Sequence, residues 1–191
     1  MNYDETQEKI LNATMELIME KGYSSTTTKD IAKLAQVNEC TIFRKFKGKK
    51  EIVLTAMTRD EWNPKLKEED FDYEGDLEKD LSTFAKIYIS KVTTKMVKVS
   101  LGLRTPELFD VTKDGIMKVP QTFKNVLEKY FLYMKSQGKI NIDDIESLAI
   151  EFLSINFGFV FFKASFGDRL TDISSEQYIL STVRNFVKGI G

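Results

Sequence analysis

Apolar residues recur at helical spacing from the start of the chain. Ile10, Leu11, Thr14, Leu17 and Ile18 share one face of a helix predicted from about Asp4 to Lys21, and Gly22 follows where helices commonly end in a left-handed turn. In "TTTKDIAKLA", Thr27 precedes Asp30 at capping-box spacing and opens a second helix with Ile31, Leu34 and Ala35 inward. "QVN" breaks that pattern near Gln36. Asn38 suits the N-cap of a third helix from Glu39 to about Phe46, which Lys47 and Gly48 end. A fourth runs from about Lys49 towards Trp62, with Ile52, Val53, Ala56 and Met57 inward. Pro64 and the acidic stretch "KEEDFDYEGD" then interrupt the periodicity, so the boundary is placed between Thr58 and Asp76 and the domains are drawn as 1–58 and 59–191.

The same spacing continues beyond the boundary. Leu77, Leu81, Phe84, Ile87 or Tyr88, and Val92 predict one helix from about Gly75 to Val99. Thr105 as N-cap and Pro106 as first helical residue open a short one. Val119 to Gln137 forms another, Asp143 or Asp144 begins a long helix to about Ser165, and Ser174 or Ser175 caps the last. With only three prolines and ten glycines in 191 residues, the expected class is all-α: three N-terminal helices in a helix-turn-helix, followed by a larger helical domain.

Composition narrows the chemistry. The chain has no histidine and one cysteine, which removes the usual zinc ligand sets and any Ser–His or Cys–His relay. No glycine-rich phosphate loop occurs, and carboxylate pairs such as Glu68-Glu69 and Asp143-Asp144 fit solvated helix faces. No enzyme, cofactor or metal is expected. A lone Cys40 precludes an intrachain disulfide and fits a reducing cytoplasm. No apolar leader follows Met1, and the strongly apolar run Phe152–Phe162 is shorter than the ~20 residues that span a bilayer, so no membrane association is expected.

Charge changes the picture most. The whole chain is near neutral, with 28 basic and 29 acidic residues. Yet Ser24 to Lys50 holds seven basic residues (Lys29, Lys33, Arg44, Lys45, Lys47, Lys49 and Lys50) against Asp30 and Glu39, a net of +5. A basic run alone reads as a solubilising patch. On the second half of a helix-turn-helix it reads as a phosphate-binding surface, with the third helix entering the major groove of double-stranded DNA.

The segment "GYSSTTTKDIAKLAQVNECTIFRKFKGKKEIV", Gly22 to Val53, resembles the DNA-binding domain of TetR-family transcriptional regulators. The resemblance rests on Gly22-Tyr23, Thr26 to Thr28, Ile31-Ala32, Val37, Thr41-Ile42-Phe43, Lys45-Phe46 and Lys49-Lys50, in order and at the family's spacing. It lies within the first third of the chain. It implies that Thr28 binds a phosphate at the start of the second helix and that Lys29 reaches phosphate or a base. Glu39 and Cys40 enter the groove deepest, flanked by Asn38, Thr41 and Arg44, and Phe43, Lys45 and Lys49 hold the phosphate-clamping positions. Thr28 as a simple cap and Phe43 as a core residue are the structural alternatives. Phe43 replaces the family's tyrosine and Lys45 its histidine. Glu39 is either a reader of cytosine N4 or a partner of the helix dipole. Cys40 is either redox-active or a small apolar residue.

The resemblance further implies a C-terminal domain that binds a small effector and forms a homodimer. Candidate pocket residues are Trp62, Tyr88, Met96, Phe109, Phe123, Tyr130 and Phe157, unless they are core; with no histidine, the effector expected is apolar or aromatic. "FLSINFGFVFF" is apolar almost all round, so one face covers its own domain and another seeks a second cover. Phe152, Ile155, Phe159 and Phe162, with Ile179, Val183 and Phe186 of the last helix, are the candidate interface, and a single large intrachain core is the alternative. A two-fold dimer implies a palindromic operator. The function expected is a ligand-responsive repressor. A helical interaction module without DNA binding, or an Asp/Glu-based hydrolase, are the other readings.

Overall fold

The structure is a computed structural model that describes residues 3–59, 61–62 and 66–190. Pro64, expected to interrupt the fourth helix, lies outside the described residues. Among these, the chain folds into helices α1 (Glu5–Ser25), α2 (Thr28–Ala35), α3 (Glu39–Lys45), α4 (Lys49–Met57), α5 (Leu77–Lys91), α6 (Thr94–Gly102), α7 (Pro106–Ser136), α8 (Ile145–Phe166) and α9 (Ser175–Ile190). They form two compact units, Met1–Pro64 with Lys95–Ile116, and Lys65–Thr94 with Met117–Gly191. Residues 95–116 thus pack with the N-terminal helices, although they fall after a cut at residue 58.

In the first unit, Ile10, Leu11, Met15 and Ile18 of α1 bury against Ile31 of α2, Ile42 of α3 and Ile52, Val53 and Ala56 of α4. The same core takes in Trp62, Val99, Leu103 and Leu108. Asp4 caps α1 by accepting from the Gln7 amide at 2.9 Å, and the Gln7 side chain returns the bond. Gly22 breaks the α1 geometry at φ +78°, where the sequence places the stop, and one further turn runs to Ser25. α4 ends at Met57, short of Trp62. At Gly102 of α6 an added Cβ would lie 2.6 Å from the Ile18 carbonyl oxygen, so only glycine lets α6 approach the α1 backbone.

In the second unit α5 packs on α8 and α9. Its core is aromatic: Tyr88 stacks on Phe123 at 4.5 Å between centroids, Phe84 meets Tyr130 edge-on at 5.0 Å, and Phe152 meets Phe186 at 5.0 Å. Inside it sits one carboxylate. Asp80 is 3% exposed. It accepts from the amides of Glu74 (3.0 Å) and Gly75 (2.8 Å) and from the Tyr130 hydroxyl (3.1 Å).

Four expectations for the chain beyond residue 75 need correction. The single helix expected over Gly75–Val99 is two, because α5 ends at Lys91 and α6 restarts at Thr94. The short helix at Pro106 and the one at Val119 are one 31-residue helix, α7, which tolerates Pro120 in its interior at the loss of one backbone bond. Thr105 precedes α7 and its carbonyl accepts from the Phe109 amide at 2.8 Å, but its hydroxyl makes no capping bond. The apolar stretch of α8 also exceeds Phe152–Phe162: Ile145–Arg169 is long and apolar enough, by length and composition alone, to cross a bilayer.

The two faces of α8 explain that composition. Leu148, Ala149, Phe152, Asn156, Phe159, Val160 and Ala164 are buried within the chain. Ile150, Phe157, Phe162 and Phe166 point outward. Phe152 and Phe159 are therefore core and not an available interface, as are Ile179 and Val183 of α9. Ile155 and Phe186 are half-buried, and Phe162, 46% exposed, is the one proposed interface residue that is freely presented. Phe157, a candidate pocket residue, lies on the same outward face at 36% exposure.

Candidate nucleic-acid interface

The α2–α3 corner follows from three local choices. Thr27 caps α2 through the Asp30 amide (3.1 Å), and Asp30 returns a bond to the Thr27 amide (3.2 Å). Lys21 (2.8 Å) and then Thr27 hold the Asp30 carboxyl down at about 2, below the usual carboxylate range. Gln36 ends α2 in the left-handed region at φ +55°, and the Val37 amide closes back on the Ala32 carbonyl at 3.0 Å. Asn38 occupies the N-cap of α3 in extended geometry, with no side-chain bond. Only Ile42 of α3 is buried. Asn38, Glu39, Cys40, Phe43 and Arg44 are exposed, Thr41 is half-buried, and Lys29, Lys33 and Lys47 are also exposed. Phe43, 56% exposed, is no core residue.

Three of the groups expected to contact phosphate, Thr28 at the start of α2 and the clamping residues Lys45 and Lys49, behave differently. The Thr28 hydroxyl donates to the Glu39 carboxylate at 2.5 Å. Lys45 pairs with Asp4 at 2.6 Å, which holds the Asp4 carboxyl below its usual range. That pair is partly exposed, so a phosphate can replace Asp4 at small cost. Lys49 faces inward: its ammonium donates to the carbonyls of Tyr23 (2.7 Å) and Thr26 (2.6 Å) and lies 3.9 Å from the centre of the Tyr23 ring. Burial pushes this ammonium down, and the charge of Glu107 opposes the shift. Lys49 thus pins the α1–α2 turn and is no free clamp. Tyr23 donates to Glu107 at 2.8 Å; burial first, and Glu107 second, push its phenol up.

Sequence spacing could not have found Asp4 or Glu107, because their partners lie 41 and 84 residues away. Lys33 and Lys47 were visible only as part of the charge count. Of the seven candidate pocket residues, Trp62, Met96 and Phe109 belong to the first unit and Tyr88, Phe123, Tyr130 and Phe157 to the second. Tyr88, Phe123 and Tyr130 are second-unit core, while Trp62 is core of the first unit beneath the Lys95 ammonium (4.0 Å). Met96 is half-buried and Phe109 exposed. Among the described residues, no group of three or more His, Cys, Asp or Glu is placed to hold a metal ion.

Comparison with known proteins agrees with this geometry. Residues 10–56 match the family model described as bacterial regulatory proteins, tetR family. The uncharacterized HTH-type transcriptional regulator YvkB of Bacillus subtilis is 33% identical over 185 residues, covering 97% of each chain. Among solved structures, a tetR-family regulatory protein from Rhodococcus RHA1 superposes with a TM-score of 0.72 at 17% identity, covering 99% of this chain and 98% of that one. NalD of Pseudomonas aeruginosa, described as the secondary repressor of the MexAB-OprM multidrug efflux pump, gives a TM-score of 0.70 at 18% identity, covering 97% and 96%. With a cationic helix-turn-helix, a matching family model and a full-length relative all in agreement, the chain belongs to the TetR family of DNA-binding transcriptional regulators.

Proposed function

We propose that this regulator is a ligand-responsive repressor that works in the cytoplasm and binds a palindromic operator as a homodimer. The first unit's N-terminal residues, 1–58, read DNA, and the remainder holds the effector and the dimer contact. The observation that carries the DNA-binding part is the exposed, cationic face of α3 beside the start of α2, with Lys29, Arg44 and Lys47 all presented to solvent. Lys29→Ala and Arg44→Ala are each expected to weaken every duplex about equally and to lower the salt dependence of binding by about one unit of slope. Duplex binding titrated at several salt concentrations checks this, and variants that bind like the parent would remove both residues from the interface.

Repression follows the description of NalD, whose fold this chain shares. The dimer is supported by the outward apolar face of α8, which a soluble chain must cover. The effector we propose is apolar or aromatic, received by the second unit, where Tyr88, Phe123 and Tyr130 already form an aromatic interior. Such a ligand is expected to lower operator affinity by a coupling free energy of about 1–3 kcal/mol, with operator lowering ligand affinity by the same factor. A saturating second-unit ligand that leaves operator binding unchanged would exclude that ligand as the inducer.

A further inference from the structure

We propose that Thr28 is a positioning residue: it aims the Glu39 carboxylate at a cytosine, and the pair selects a C·G base pair at one position of each half-site. The inference rests on the DNA-binding reading above and assigns Thr28 a task other than phosphate binding.

The α2 cap is Thr27, whose side chain takes the Asp30 amide, so the Thr28 hydroxyl has no capping duty. It points instead to α3 and donates to Glu39 Oε1 at 2.5 Å, within the range of a charge-assisted O–H···O⁻ bond. A threonine hydroxyl carries one hydrogen. While Glu39 holds it, none is left to donate to a phosphate. The bond also joins the first residues of two different helices and removes torsional freedom from a glutamate that is otherwise exposed.

What Glu39 can recognise follows from its chemistry. Among the described residues no lysine or arginine forms an ion pair with it, so the carboxylate remains an acceptor with Oε2 uncommitted. Facing DNA, it is repelled by phosphates, and only a donor on a base edge can offset that repulsion. The major groove offers two, cytosine N4 and adenine N6. Adenine N6 lies between two acceptors that repel a carboxylate, its own N7 and the paired thymine O4, whereas cytosine N4 has an acceptor on one side only, the paired guanine O6, and its own C5–H on the other. A fixed, ionised glutamate therefore favours cytosine.

The test is selection from a randomised duplex pool, at one salt concentration, with the full-length protein and with Glu39→Gln, Thr28→Val and Thr28→Ser. The parent should enrich cytosine at one position per half-site. Glu39→Gln should move that position to adenine, which a carboxamide contacts through N6 and N7. Thr28→Val should lower discrimination at that position about tenfold and leave the others intact, since one well-placed base contact carries discrimination of this order. Thr28→Ser, which restores the hydroxyl, should restore it. If Thr28→Val weakens all sequences alike, Thr28 is a phosphate ligand and the proposal is wrong. It is equally wrong if Glu39→Gln tightens all sequences alike without changing the preferred base. A parent that retains no duplex even at low salt would instead overturn the DNA-binding reading itself.

Discussion

Asp80→Ala is expected to destabilise the second unit by about 3–5 kcal/mol, because it removes the acceptor of three donors at about 1–3 kcal/mol each, the low end applying to the Glu74 amide, which water can reach. The donors are the amides of Glu74 and Gly75 and the Tyr130 hydroxyl, all aimed at one carboxylate that is almost wholly buried. The site also organises the approach to α5. Asp76 caps the helix by accepting from the Lys79 amide (2.9 Å), while Asp80, within the first turn, holds the preceding Glu74-Gly75 turn in place. Lys139 adds a donation to the Gly75 carbonyl. Asp80→Asn should lose less, since its oxygen still accepts while its amino group faces a donor. Denaturant unfolding and amide exchange at Gly75 measure both variants. Exchange at Gly75 as slow in Asp80→Ala as in the parent would show that another group satisfies this turn.

The second expected result concerns assembly. A double variant, Phe162→Asp with Leu180→Asp, should run as a single chain of 22.0 kDa where the parent, on the proposed dimer, should run at twice that mass. Phe162 and Leu180 are 46% and 48% exposed on α8 and α9 and touch little of their own core, so the folded chain should survive the change. Operator affinity should fall by about 10²–10⁴-fold, the advantage of two linked reading heads over one. Light scattering and duplex titration read the two effects. A double variant that stays dimeric would mean that the interface lies on another surface.

The two assays also mark where sequence reasoning reaches its limit on this chain. Helix starts were legible because their caps are local: Thr27 with Asp30, Asp144 with Ser147, and Ser174 with Gln177 lie three residues apart and all form. The break between α5 and α6 carries no glycine or proline, and α7 runs through the proline that suggests a break. The phase of α8 was unreadable for a different reason. Periodicity reports a buried face only through contrast with a polar one, and in "FLSINFGFVFF" both faces are apolar. Hence Phe152 and Phe159, which face inward, could not be told from Phe157 and Phe162, which face out. At the DNA surface the charge count located the patch but not its partners. Lys49 contributes to the +5 and yet spends its ammonium on two backbone carbonyls.

Seven residues long, α3 commits a single side chain, Ile42, to the protein's interior. Its exposed positions, Glu39, Cys40, Phe43 and Arg44, have little stake in whether the chain folds, and the flanking Asn38 and Lys47 are exposed too. Asn38, Glu39, Cys40, Phe43, Arg44 and Lys47 can therefore be exchanged in combination at little thermodynamic penalty, since surface substitutions usually stay within about 0.5 kcal/mol. Mutational drift can alter the recognised sequence while the scaffold stays intact. A library randomised at these six exposed positions should contain mostly folded members, a favourable starting point for selecting regulators with new operators.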